Sequence, residues 1–172
     1  MPRCACIDIG SNTTRLLVAE DEGGRLREVL AERAFTRMGA ACGADGRIAA
    51  PKVAEVVQIV ARQVRLAREL EVDALRVVAT AAARRAPNRD ELADSVAAAA
   101  CMPLSILSET EEARLAFAGA IGTLPAAPAG QLGVVDVGGG STELVVGTVA
   151  GGVAWSTSLP VGSGVVTAAD LP

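Results

Sequence analysis

Between Pro51 and Leu70 the apolar residues Val53, Val56, Val57, Val60, Val64, Ala67 and Leu70 recur at steps of three and four, while Arg62, Arg65, Arg68 and Glu69 fall largely elsewhere. That is the period of a helix with one buried stripe, and Pro51 suits its first turn, where no backbone N–H is needed. Upstream the period shortens to two. CACIDI and TRLLVAE flank a polar GSN loop and read as two strands, with DEGGR as the next turn and LREVLAERAF as a third strand. GAACGADGRI, with three glycines and an Asp-Gly pair, is a loop. ALRVVAT lies between two helical segments and reads as a short, buried, parallel strand. Asn88 and Glu91 have the spacing of a capping box for a helix running to about Ala100, and PLSIL is another short strand. Ser108 and Glu111 repeat that spacing ahead of EEARLAFAGA. The two prolines of LPAAPAG mark a boundary, after which QLGVVDV opens a fresh strand. The pattern divides the chain into a first region 1–123, a linker 124–130 and a second region 131–172.

One stretch matches another in the same chain. CIDIGSNTTRLLVAEDEGGRL lies over VVDVGGGSTELVVGTVAGGVA without a gap, 128 positions on. Asp8 falls on Asp136, Gly10 on Gly138, Thr14 on Thr142, Leu16 on Leu144, and Gly23-Gly24 on Gly151-Gly152. Strand, D-x-G-x-x-x-T loop, strand, Gly-Gly turn and strand therefore occur twice. The chemistry of such a loop suits an oxyanion. Glycines let backbone approach it closely, consecutive N–H groups form an anion-binding nest, and Ser or Thr hydroxyls add donors. An Asp at the strand end can hold Mg²⁺ directly or through water. Two such hairpins facing one another would hold a phosphate chain and its metal.

Composition narrows the chemistry further. With 51% hydrophobic and 21% charged residues the chain has material for a packed core and is no disordered polyelectrolyte. Aromatics are 2%, so the core must be built from Ala, Val and Leu, and stacking platforms for nucleic acid are not expected. The net charge of −4 supplies no general basic field, so an anion has to be held by a local site. There is no histidine, which excludes Ser-His-Asp and Cys-His catalysis and imidazole metal ligands. Acids and bases must be carboxylates. Of the four cysteines, Cys4 and Cys6 alternate on the first strand and are expected on one buried face as small hydrophobes. No secretory pattern and no run of about 18 apolar residues is present, so a cytoplasmic protein without a membrane span is expected.

DIGSNTTRLL and DVGGGSTELVVG together resemble the paired phosphate loops of the actin-like, sugar-kinase and heat-shock ATPase superfamily. More narrowly, with ATAAARRAPN and LSETEEARLAFAGA between them, they resemble the exopolyphosphatase and guanosine pentaphosphate phosphohydrolase family. The resemblance implies an α/β fold. It would comprise a ribonuclease-H-like lobe with a mixed five-stranded sheet and flanking helices, then the first β-meander of a second, similar lobe. It implies Mg²⁺ or another divalent cation, and hydrolysis of terminal phosphoanhydride bonds of inorganic polyphosphate with release of orthophosphate. Guanosine pentaphosphate is the alternative substrate. An ATP-dependent kinase on the same scaffold and an inactive phosphate-binding fragment are more distant readings.

By that resemblance Glu112, just before Ala-Arg, is the general base. Asp8 and Asp136 anchor the metal, and Glu143 helps to hold metal or water. Gly138, Gly139, Gly140 and Ser141 cradle the reacting phosphate, with Gly10, Ser11 and Asn12 opposite and Arg84 as a phosphate fork. The residues themselves leave alternatives. Glu109, Glu111 and Glu112 would all stabilise a helix start through its dipole, and that is the preferred role of the first two. Glu143 would equally be an exposed strand position. Two departures from the family pattern stand out. Glu109 follows Ser108 where glycine is usual, and Arg15 stands where many members carry histidine. The strands of 131–158 lack covering helices in this reading, so an exposed apolar surface favouring self-association is expected.

Overall fold

The structure is a computed structural model that describes residues 1–124, 126, 128–164 and 166. Five strands and three helices form a first compact unit, Met1–Ile106, and a second unit opens at Leu107.

In the first unit β1 (Arg3–Ile9), β2 (Thr14–Asp21) and β3 (Leu26–Ala34) form an antiparallel meander. Helix α1 (Ala50–Glu69) leads to β4 (Ala74–Ala79), which lies parallel to β1 on its other side. The short helix α2 (Ala81–Arg85) and α3 (Arg89–Ala100) precede β5 (Leu104–Ile106), parallel to β4. The sheet order is β3-β2-β1-β4-β5, the mixed five-stranded sheet expected. The stripe of α1 is buried as its period requires: Val53, Val56, Val60, Val64 and Ala67 pack with Leu92, Val96 and Ala100 of α3 on the sheet face bearing Ile7, Ile9, Leu16, Val18 and Val77. Full burial of each larger aliphatic contributes roughly 1.5–3 kcal/mol. At the sheet's other end Arg3 donates to the Glu20 carboxylate (2.6 Å) and to the Leu70 carbonyl, and Arg27 pairs with the same carboxylate. The Arg3 bond is the main reason that Glu20 is held below the ordinary carboxylate range.

Two expectations are corrected here. Cys4 and Cys6 do share a face, but it is the one opposite the core: Ala5, Ile7 and Ile9 are buried, Cys4 is exposed and Cys6 is partly buried. On a strand the two parities compete for the helical cover, and the isoleucines gain more from it than thiols would. Asn88 stands at the start of α3, yet its side chain makes no cap bond. Its amide instead pairs with the Ile48 backbone in both directions, accepting from Ile48 N (2.9 Å) and donating to Ile48 O (3.0 Å).

The second unit begins with α4 (Glu109–Gly122), followed by the antiparallel meander β6 (Leu132–Val137), β7 (Thr142–Thr148) and β8 (Gly152–Leu159). Helix α4, grouped with the first region in the sequence, packs on this sheet: Ala113 and Phe117 are buried with Val145, and Ile121, Leu132, Val134 and Val153 close around them. Gly147 lies so near Phe117 that a Cβ there would sit 2.7 Å from the ring. The sheet thus has one covered face. The other bears Val135, Val137 and Trp155, which remain 65%, 61% and 53% exposed, so an apolar surface is present as expected, but the expectation that these strands lack a covering helix is corrected by α4. The sequence LPVGSGVVTAADLP starts toward a further helix, and from residue 165 on only Val166 lies within the described residues. Among the described residues no helix is long and apolar enough to cross a membrane.

Candidate functional site

The expected site residues fall into two sets, one in each unit. In the first unit β1 and β4 run parallel with Ile9 beside Ala79, so the chain leaves both strands at the same end of the sheet. Gly10, Ser11 and Asn12 follow β1, while Thr80 and then Arg84 follow β4; Thr80 N–H donates to the Ile9 carbonyl (3.3 Å). Asp8 sits one residue inside that end, opposite Arg15 on β2 and Val78 on β4. The carboxyl ends of parallel strands are where open α/β sheets bind ligands.

The loop's hydrogen bonding has a consistent sense. Gly10 N–H closes onto the Thr13 carbonyl (2.9 Å), Gly39 N–H onto Ser11 O (2.8 Å) and Arg37 N–H onto Asn12 O (2.8 Å). Three successive carbonyls are therefore occupied. No peptide here is cis, so the N–H following each tethered carbonyl points the opposite way. The N–H groups of Asn12 and Thr13 have no hydrogen-bond partner among the described residues and remain available to an anion. Buried polar contacts back the loop. The Thr14 and Thr36 hydroxyls lie 3.2 Å apart, and the fully buried Gln63 donates to Glu32 (3.3 Å) and, at 3.5 Å, to the Thr14 carbonyl.

The second unit repeats the arrangement between β6 and β7. Gly138 N–H closes onto Ser141 O at the same 2.9 Å, and Ser163 and Gly164 send N–H groups to Gly138 O and Gly139 O, both 2.9 Å. The Ser163 hydroxyl adds a bond to Gly138 O (3.2 Å), and the Thr142 hydroxyl donates to Val161 O (2.6 Å). Asp136 pairs in register with Glu143, which puts both carboxylates on one face. Glu143 is only 1% exposed and accepts from the Ser158 hydroxyl (2.9 Å). The alternative of an exposed strand position is thereby removed for Glu143. A buried carboxylate beside a second carboxylate is costly unless a cation joins them. No group of three or more metal-binding side chains exists among the described residues. Mg²⁺ held by one or two carboxylates, with substrate phosphate and water completing its shell, requires none, and this pair fits it.

At the start of α4 Ser108 caps the helix as expected: its hydroxyl accepts from Glu111 N–H (3.2 Å) while Glu111 accepts from Ser108 N–H (2.9 Å). Bonds from the Ser108 hydroxyl and backbone hold the Glu111 carboxyl below its ordinary range. Glu111 is thus a capping residue, Glu109 is exposed, and Glu112 is half-buried one residue further on. Two of the four thiols, Cys6 and Cys42, are poorly suited to chemistry. Burial, with the Asp8 charge adding and Arg76 opposing, pushes Cys6 up to about 11, and burial likewise raises Cys42.

The sequence missed the return segments Thr36–Gly39 and Val161–Gly164, which tie down the loop carbonyls. The self-match stops short of them because Thr14 and Thr36 are 22 residues apart and Thr142 and Val161 only 19. A match allowing that three-residue gap aligns Gly39 with Gly164.

A family model described as the Ppx/GppA phosphatase family matches residues 17–171. Exopolyphosphatase 2 of Mycobacterium tuberculosis is 38% identical over 158 residues, covering 86% of this chain and 49% of its own length. The crystal structure of the Aquifex aeolicus Ppx/GppA family member superposes with a TM-score of 0.83 at 34% identity, covering 94% of this chain and 52% of that one. An exopolyphosphatase from Cytophaga hutchinsonii, 23% identical, shares the fold with a TM-score of 0.83 over 93% of this chain and 51% of its own. The chain spans about half the length of the curated relatives it matches.

Proposed function

Because the chain belongs to the Ppx/GppA phosphatase family, we propose that it supplies the phosphate-gripping part of a metal-dependent exopolyphosphatase releasing orthophosphate from the end of inorganic polyphosphate. One observation carries the reading: two loops, built alike, tether their carbonyls to a return segment and turn N–H groups the other way. Polyphosphate offers a run of anionic oxygens to such donors, and each N–H preorganised toward developing phosphoryl charge lowers the barrier. Gly10, Ser11, Asn12 and Arg84 in the first unit, and Gly138, Gly139, Gly140 and Ser141 in the second, would each offer donors to phosphate oxygens, the latter set to the reacting phosphate. Asp136 and Glu143 are the carboxylates for Mg²⁺, with Asp8 the corresponding residue of the other loop. When bound, the cation neutralises phosphate oxygens. Glu112 accepts a proton from a water whose oxygen forms the new P–O bond, while the bridging P–O bond breaks toward the shortened chain. We place this work in the cytoplasm, in keeping with four unbridged cysteines.

The test is orthophosphate release from long-chain polyphosphate with Mg²⁺. Glu112→Gln is expected to lose about 100-fold or more, the usual contribution of a general base. An unchanged rate overturns that assignment. Guanosine pentaphosphate is the alternative substrate, and competition between the two for turnover separates them. A second reading of the same donor-bearing loops is binding without turnover. Calorimetric uptake of polyphosphate by a preparation that releases no phosphate would establish it.

A further inference from the structure

We infer that the return segments are part of the phosphate grip, with Gly162 and Gly164 in the second unit and Gly39 in the first acting as positioning residues for the loops' N–H donors. The inference rests on the loops being the phosphate sites proposed above. It deepens that reading by naming residues that touch no phosphate themselves.

The argument begins with space. A Cβ on Gly162 would sit 2.6 Å from Gly140 N, 2.7 Å from Gly138 O and 2.7 Å from the Gly139 carbonyl carbon. A Cβ on Gly164 would sit 2.8 Å from Gly139 O, and one on Gly39 would lie 3.2 Å from the Ser11 Cβ and 3.4 Å from its carbonyl. None of the three has a positive φ, so the glycines are required by close approach and not by backbone conformation. In the second unit the obstructing atoms are loop backbone, which cannot swing aside like the end of a long side chain. At that separation Ser163 and Gly164 reach the Gly138 and Gly139 carbonyls, as Gly39 reaches that of Ser11.

The consequence for binding follows from peptide geometry. In a trans peptide the carbonyl of one residue and the N–H of the next point in opposite directions. Fixing the Gly138 and Gly139 carbonyls therefore fixes the N–H directions of Gly139 and Gly140, and fixing those of Ser11 and Asn12 does the same for Asn12 and Thr13. A glycine-rich loop left untethered would sample many peptide orientations and lose entropy when a phosphate arrived. The return segment removes that loss in advance. Two return segments of different sequence and spacing make the same bond to the second loop residue, which a packing accident in one copy would not explain.

The experiment titrates tripolyphosphate with Mg²⁺ into the full chain by calorimetry, beside amide NMR of the loops. Gly162→Ala is expected to weaken binding by about tenfold or more, Gly164→Ala by less and Gly39→Ala least, following the order of overlap. Amide signals of Gly138–Ser141 should shift in the unliganded Gly162→Ala protein and respond weakly to ligand. Gly147→Ala, whose Cβ would run into Gly152 O at a place away from the loop, provides the structural comparison. It should lower the melting temperature while its folded fraction binds as the parent does. Gly119→Ala, with open space around it, should change neither. Should Gly162→Ala fail to fold, Gly39→Ala carries the test through its softer contact. Parental affinity in the folded glycine variants overturns the positioning role alone. A parent chain that takes up no tripolyphosphate overturns the proposed function and this inference with it.

Discussion

The two hairpins share a frame and differ in what stands beside the strand-end aspartate. In the first, Asp8 faces Arg15 across the ladder, so opposite charges are paired in register. In the second, Asp136 faces Glu143, and the like-charged partner is buried. The loops differ in support as well. The first is backed by buried hydroxyls and an amide, with Arg37 in a left-handed conformation (φ 47°). The second is three glycines pressed against Gly162 and Gly164. The first copy sets opposite charges in register, while the second sets a buried carboxylate beside a like-charged one, with the Ser158 hydroxyl as its donor. The duplication thus repeats the loop, and divergence at one position reverses the sign of the charge that faces its aspartate.

The units also differ in depth of core, and that difference carries the largest expected effect. The first unit buries a continuous cluster from Ala5 to Ala100, whereas the described core of the second rests on Ala113, Phe117 and Val145. Phe117→Ala is expected to cost about 3–5 kcal/mol and to unfold the second unit while the first stays native. Hydrogen exchange checks this: amides of β6–β8 should lose protection and those of α1 and β1 keep it. A single uniform loss across both units would erase the comparison.

Arg37 gives the next largest effect, and of opposite sign. A side chain in the left-handed region costs roughly 1–2 kcal/mol, and no such cost falls on Gly162 and Gly164 in the other return segment. Arg37→Gly should therefore raise stability by up to about 1 kcal/mol once glycine's greater unfolded freedom is counted. Thermal unfolding reads it, and a lowered midpoint would mean that the side chain contributes more than its backbone strain.

The cap of α4 comes third. Ser108→Ala is expected to cost about 1 kcal/mol at neutral pH. Glu111 has its carboxyl lowered by Ser108, so that part of the stabilisation is present above the unfolded value of about 4.3 and is lost as pH falls through the lower folded value. The gap between parent and Ser108→Ala should narrow below about pH 4. A gap that widens on acidification would reverse the sign of the linkage.

How far these features were legible follows from their range along the chain. The stripe of α1, the Ser108 cap and the repeated loops are local patterns, and the structure contains them where the spacing places them. The face occupied by Cys4 and Cys6 was not local, because either parity of β1 satisfies alternation until α1 and α3 choose one. Asn88 had the spacing of a cap but found backbone forty residues away at Ile48. Helix α4 has an apolar stripe that names no partner, and its sheet lies beyond two prolines. At the candidate site the loop residues were legible from the repeat. Their return segments were hidden by a three-residue difference in hairpin length.

The charge asymmetry yields the smallest effect and the sharpest test of the comparison. Opposed cross-strand charges contribute roughly 0.2–1 kcal/mol, and like charges destabilise by a similar amount. Without divalent cation, Asp8→Asn should lower stability by that order, because Arg15 loses its facing anion. Glu143→Gln should leave stability unchanged or raise it, since the amide keeps an oxygen for the Ser158 hydroxyl while the buried charge is gone. Adding Mg²⁺ with tripolyphosphate should then stabilise the parent and Asp8→Asn more than Glu143→Gln, because a cation that binds only the folded state raises its melting temperature. Thermal unfolding in chelator and in Mg²⁺ gives all four comparisons. If Glu143→Gln without cation costs as much as Asp8→Asn, the buried carboxylate carries no electrostatic penalty, and the proposed placement of the cation at Asp136 and Glu143 fails.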